Sequence, residues 1–127
     1  MAYFNLHDHL KRLEAAGYLR RIQRVINKDT ELHPLVRWQY RGGIPEEDRK
    51  AWLFENVTDS RGRSFKFPVV VGALGGNKAI YFLGMDCKDA EEMDEKWKQA
   101  LSQPVAPVLV PQGSCQEELH MGEELRR

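Results

Sequence analysis

The sequence has few cysteines, no long hydrophobic run and no excess of charge of either sign. Only two of its 127 residues are cysteines, Cys87 and Cys115, and this number fits reduced thiols in a cytosolic protein better than a disulfide framework. No apolar run approaches the roughly 20 residues that span a bilayer. The start of the chain lacks the charged and apolar blocks of a signal peptide. We therefore expect a cytoplasmic protein without a membrane partner.

Basic and acidic residues balance at 19 each, so no overall field favours binding to nucleic acid. One local basic cluster still has two explanations, a nucleic-acid patch or a solvated helix face followed by an edge strand protected by charge. The second explanation is favoured because domains that bind nucleic acid are usually basic overall. We predict no nucleic-acid partner. The cluster comprises Lys11, Arg12, Arg20, Arg21 and Arg24.

The stretch from Lys50 to Met85 is the predicted centre of the fold. Its first part, Lys50–Val57, is apolar on both faces, as is typical of a central strand covered on each side. Turn residues then lead to a second strand, Val69–Val71, which follows Pro68 because proline cannot donate to a ladder. On the central strand, Ala51, Leu53 and Val57 are predicted on one face, and Trp52 and Phe54 on the other.

Helices are predicted on both sides of this stretch, with a further strand at Leu19–Ile26. The signals are N-cap residues, glycine or proline at the ends, and apolar residues at helical spacing. A 127-residue chain suits one domain. We predict an α+β fold, with a small, largely antiparallel sheet and three or four helices packed on it. The N-cap residues are Asn5, Asn77 and Asp89, the last with Glu92 in a near capping box, and the apolar stripes include Leu6, Leu10 and Leu13 in the first helix and Ala90, Met93, Trp97, Ala100 and Leu101 in the last.

The character of the chain changes after Gln103. Pro104, Pro107 and Pro111 punctuate short aliphatic runs, which favours an extended segment over a helix. We therefore divide the chain into an α+β domain at residues 1–103 and an extended segment at residues 104–127, which leads away from the domain and has no evident partner within it.

A series of motifs runs through nearly the whole chain: Leu10–Ile22, Trp52–Val57, Pro68–Gly76, a short helix ending in Leu83 and Gly84, Pro107–Pro111 and Cys115–Glu117. In this order they resemble the N-terminal domain of UbiD-type decarboxylases. The resemblance implies a reversible decarboxylase of unsaturated or aromatic acids that uses prenylated FMN, with a divalent metal and K⁺ as a further candidate ion. Members of that family are several times longer, and their catalytic, metal and phosphate-binding residues lie in later segments.

Several residues are candidates for a phosphate-binding, metal-binding or catalytic site, and for each of them a structural role is favoured. The turn Gly72–Asn77 has the strand, glycine turn and helix arrangement of phosphate sites, but its spacing fits neither common nucleotide motif. Glu55 interrupts an apolar strand and is expected to pair with a basic residue. Cys115 and His120 could form a nucleophile and its base, but the chain offers no evident orienting group or oxyanion hole for them. The histidines and cysteines lack the spacing of metal ligands; they are His7, His9, His33, Cys87, Cys115 and His120.

We therefore expect no catalytic, cofactor-binding or metal-binding residue within this chain. The chain is interpreted as the N-terminal domain, fragment or split subunit of a UbiD-type carboxy-lyase, whose partner is the remainder of the catalytic chain or a larger catalytic subunit, with a homo-oligomer expected. Two alternatives remain: a free-standing regulatory module that binds a larger catalytic subunit, and a nucleotide-binding domain that uses the Gly72–Asn77 turn.

Overall fold

A four-stranded sheet with helices on both faces forms the body of the molecule. The computed structural model describes residues 5–111, 113 and 120–122. Within these residues the predicted α+β class is confirmed. In chain order the elements are α1 (Leu6–Ala15), β1 (Leu19–Asn27), α2 (His33–Arg41), β2 (Ala51–Thr58), β3 (Ser64–Phe65), β4 (Val69–Val71), α3 (Lys78–Met85) and α4 (Ala90–Ser102). A π-helical turn at Lys28–Leu32 precedes α2, and a 3-10 turn at Glu46–Asp48 precedes β2.

The predicted central strand, β2, is the centre of the sheet. It pairs in parallel with β1 on one side and antiparallel with β3 and β4 on the other. Two of the three pairings are therefore antiparallel, as expected, while the longest one is parallel. The parallel pairing arises because α2 lies in the connection from β1 to β2, and such a crossover returns the chain in the same direction. Within the described residues β1 pairs only with β2, so it is the predicted edge strand.

β2 is covered on both faces, and two clusters form the core. Ala51 packs with Leu13, Ala73 and Ile80 on the side of α1 and α3, whereas Trp52 and Phe54 pack on the side of α2. Sequence alternation placed Val57 with Ala51, but Val57 belongs to the cluster of Phe54. The pairing of β1 with β2 is irregular between Ile22 and Val25, opposite Phe54 and Asn56, and such a bulge increases the local twist of the strand pair.

The predicted helix caps are present. Asn5 accepts a hydrogen bond from the backbone of Asp8 at 3.1 Å, and Asn77 accepts one from Ile80 at 2.8 Å. Asp89 caps α4 through the backbone N–H of Glu92 at 2.9 Å. These bonds satisfy helix N–H groups that have no partner within the helix.

The end of the described chain exposes a large amount of apolar surface. α4 contains no buried residue, and Leu101 is 78% exposed. Beyond it, Val105 and Leu109 are 94% and 95% exposed. The division at Gln103 stays a prediction, and the motif Cys115–Glu117 lies outside the described residues. None of the described helices has both the length and the hydrophobicity needed to cross a bilayer.

Candidate functional site

The turn between β4 and α3 is the strongest candidate site in the sequence, and its geometry explains its glycines. Gly72 has a φ of +77°, which favours glycine. A Cβ atom at Gly72 would lie 2.6 Å from the hydroxyl oxygen of Tyr40, and one at Gly76 would lie 2.8 Å from the carbonyl oxygen of Gly72. The backbone N–H of Gly76 donates to that same carbonyl at 3.0 Å. Close packing and backbone conformation therefore account for both glycines.

The N-terminus of α3 lies next to this turn, and two of its amide donors bond to side chains. The backbone N–H of Lys78 donates to the Glu46 carboxylate at 3.1 Å. The N–H of Ile80 donates to the side chain of Asn77, which in turn donates to the carbonyl of Arg49 at 2.7 Å. Glu46 thus places a negative charge where a phosphate would bind. The described residues of this turn do not fit the phosphate of a flavin or of another nucleotide.

An open groove of about 410 Å³ lies beside the same helix end. Tyr81, Phe82 and Met93 supply much of its apolar wall, and Arg49 and Lys78 lie at its polar part. Glu46 contributes the carboxylate that caps α3, 32 residues before Lys78 in sequence. No local pattern predicts a contact over that distance, so sequence reasoning missed the role of Glu46.

The two neighbouring histidines of α1 have different environments. His9 is fully buried, and its Nε2 atom lies 2.6 Å from the carbonyl oxygen of Ala73. His7 is exposed. The spacing of two residues on a helix predicts this divergence. His9 therefore links α1 to the glycine turn. Among the described residues, no group of three His, Cys, Asp or Glu side chains is placed to hold a metal ion.

The remaining thiol and histidine candidates are not brought together in the described structure. Cys87 follows α3, and its Sγ atom donates to the carbonyl of Met85 at 3.4 Å. His33 is exposed at the start of α2. Cys115 lies outside the described residues, so its proposed pairing with His120 stays untested.

The expected partner of Glu55 is a residue of the basic cluster, and this prediction is confirmed. Arg21 lies 2.6 Å from Glu55 and 2.6 Å from Glu14. The hydrogen bond from Arg21 lowers the pKa of Glu14 below its usual value. Arg12 pairs with Asp86 and Arg24 with Glu31, each at 2.8 Å. Much of the basic cluster therefore lies within ion pairs on a solvated surface, which supports the structural interpretation.

One buried carboxylate, Asp59, was not identified from the sequence. It is 4% exposed and accepts hydrogen bonds at 2.9 Å from the backbone N–H groups of Arg61 and Arg63. The bond from the Arg63 backbone is the main cause of a lowered pKa at Asp59. A carboxylate that accepts several bonds within its own turn holds the β2–β3 connection together, and it is not poised as an acid.

Comparison with known proteins identifies the family. The family model described as the N-terminal domain of 3-octaprenyl-4-hydroxybenzoate carboxy-lyase matches residues 10–97, which is more than half of the chain. No curated protein and no solved structure gives a significant match. The match covers α1 from Leu10, the whole sheet, the glycine turn, α3 and about half of α4. The chain therefore belongs to the UbiD family of carboxy-lyases, and the part that establishes this membership is the family's N-terminal domain.

Proposed function

We propose that this chain is a non-catalytic N-terminal domain of a UbiD-type carboxy-lyase and that it docks onto the catalytic part of the enzyme. It acts either as the first domain of a longer polypeptide or as a split subunit. The substrates of such an enzyme are unsaturated or aromatic acids, and the reaction is reversible decarboxylation. We place the enzyme in the cytoplasm and expect it to be a homo-oligomer.

The observation that carries the proposal is the apolar surface formed by the end of α4 and the segment after it. We call this the α4–tail surface; it comprises Trp97, Leu101, Val105, Val108, Leu109 and Val110. Their exposed fractions range from 47% at Trp97 to 95% at Leu109. Large apolar residues that are exposed along one stretch of the chain favour an interaction site. The surface begins at the end of the family match and continues toward the predicted exit of the chain.

The chemistry of such an enzyme belongs, in this proposal, to the part onto which the domain docks. Prenylated FMN would supply the electron sink for decarboxylation, together with a divalent metal and K⁺ as a further candidate ion. At the turn Gly72–Asn77, which resembles a phosphate site, the N–H groups of Lys78 and Ile80 are bonded to Glu46 and Asn77. The role of this domain is therefore to position and cover the catalytic part.

The alternative is a free-standing interaction module that regulates a larger catalytic subunit. The same α4–tail surface supports this alternative, because a separate subunit also needs an apolar contact. A coding sequence that continues beyond Arg127 into a catalytic domain would exclude the free-standing module. Sequencing the gene downstream of that codon tests this point.

The proposal predicts that the purified chain, incubated with prenylated FMN and desalted, retains no flavin absorbance. It also predicts that the chain releases no carbon dioxide from cinnamate-like or 4-hydroxybenzoate-like acids. A complete member of the family, prepared in the same way, is the positive control. Retention of one flavin per chain, or release of carbon dioxide above the buffer blank, would contradict the non-catalytic role.

A further inference from the structure

The exposed face of α2 carries positive charge without a nearby negative partner. Arg37 and Arg41 are both exposed, and neither takes part in an ion pair with any described residue. Together with Pro34, Trp38 and Gly42 they line a shallow pocket of about 280 Å³ that contains no acidic side chain. We call this the basic α2 face.

Trp38 lies at the centre of the basic α2 face and is 55% exposed. Its ring lies over the backbone of Gly42, where an added Cβ would come within 2.5 Å of the ring atom Cδ1. Gly42 has φ −90° and ψ 17°, so the positive-φ argument for glycine does not apply here. The tryptophan ring is thus held against the helix end by close packing. A partly buried, pre-oriented tryptophan beside arginines is a common composition of protein contact surfaces.

α4 presents a face of the opposite charge. Glu91, Asp94 and Glu95 are exposed on it. Lys98 pairs with Glu95 at 2.6 Å, and it also interacts electrostatically with Asp94. Trp97 lies next to them and is 47% exposed. We call this the acidic α4 face. Its three carboxylates outnumber the single charge of Lys98, so its net charge is opposite in sign to that of the basic α2 face.

The two faces do not neutralise each other within one copy. α2 packs over the cluster of Trp52 and Phe54, whereas α4 packs against α3, which covers the other side of the sheet. No ion pair joins the two faces among the described residues. Within the described part of the chain, Arg37 and Arg41 are thus left open to a carboxylate from another molecule.

We propose that the basic α2 face of one copy docks onto the acidic α4 face of a second copy. Arginine and carboxylate groups form paired, charge-assisted hydrogen bonds, and each tryptophan supplies apolar contact area beside them. Because the two faces differ, the contact is head-to-tail and closes into a ring or continues as a chain of copies. This contact shares Trp97 with the α4–tail surface, and it uses neither flavin nor a catalytic subunit.

Sedimentation velocity of the full chain tests the contact through its salt dependence. Ion pairs at a surface are screened as the Debye length falls from about 20–30 Å near 0.02 M salt to a few Å near 0.5 M. We expect the apparent association constant to fall about tenfold or more between these conditions. The variant Arg37→Glu with Arg41→Glu should show the low-affinity value at both salt concentrations.

The matched control carries the same change of charge elsewhere. Arg61→Glu with Lys66→Glu alters two exposed residues of the β2–β4 connection, and it should keep the salt-dependent association. Circular dichroism of each variant checks that the fold is retained. Equal loss of the salt-dependent part in the control variant would contradict the proposal, because net charge alone would then explain it.

A charge-swap rescue gives the sharpest result. The second variant, Glu91→Arg with Asp94→Arg, should also lose salt-dependent self-association. Mixing it with the Arg37→Glu, Arg41→Glu variant should restore an association between the two, because each now offers a surface complementary to the other. Absence of this mixed complex at about 0.02 M salt, or association of wild type that is unchanged at about 0.5 M, would overturn the proposal.

Discussion

Replacing Phe54 by alanine is expected to lower the free energy of unfolding by about 3–5 kcal/mol. Phe54 is fully buried in the central strand and packs with Ile26, Leu32 and Trp52. The substitution removes apolar contacts and leaves a cavity that the neighbouring strands cannot fill. The loss is a large share of the roughly 5–15 kcal/mol of stability typical of a domain.

Chemical denaturation followed by tryptophan fluorescence measures this effect. Lys66→Ala is the control, because Lys66 is exposed in the connection before β4 and its removal should change stability by less than about 0.5 kcal/mol. If Phe54→Ala shifted the denaturation midpoint no further than Lys66→Ala, the assignment of β2 as the buried central strand would be wrong.

Replacing Gly72 by alanine is expected to destabilise the fold by about 2–5 kcal/mol, as the sum of two effects. A φ of +77° costs a non-glycine residue about 1–2 kcal/mol. The added Cβ would lie 2.6 Å from the Tyr40 hydroxyl, and such overpacking costs about 1–3 kcal/mol. The measurement is again the free energy of unfolding from chemical denaturation.

Gly62 provides a matched control for the backbone term. It also has a φ of +77°, but nothing lies within 4 Å of its hypothetical Cβ. Gly62→Ala should therefore show the backbone cost alone. Adding Tyr40→Phe to Gly72→Ala should recover part of the loss, because it removes the hydroxyl and keeps the ring that Arg49 contacts. Equal effects of the two glycine substitutions would show that the contact with Tyr40 is unimportant.

Local signals predicted the elements of the fold well. Asn5, Asn77 and Asp89 were identified as helix caps because capping depends on residues three positions apart, and all three make the expected bonds. The central strand was recognisable because a strand that is apolar on both faces is typically covered by other elements on each side of the sheet. The pairing of Glu55 with Arg21 followed from the cost of leaving a carboxylate without a partner.

Contacts between distant segments were the part that sequence reasoning missed. The parallel pairing of β1 with β2 depends on the crossover through α2, and the placement of Val57 depends on packing after an irregular step in that pairing. The role of Glu46 at α3 depends on the fold as a whole. Helical periodicity correctly placed the apolar residues of α4 on one stripe, but periodicity does not reveal whether that stripe is covered by its own domain or by another protein.

The family membership and the exposed α4–tail surface together make docking to a catalytic part the central claim. It is tested most directly by sedimentation of the full chain and of a chain that ends at Gln103, both near 0.5 M salt so that charged contacts are largely screened. The account predicts that the full chain self-associates, or copurifies with a polypeptide that carries a UbiD flavin-binding domain, and that the shortened chain is a monomer. A full chain that is a clean monomer, with amide exchange protection across Val108–Val110, would contradict it, because the tail would then be folded onto its own domain.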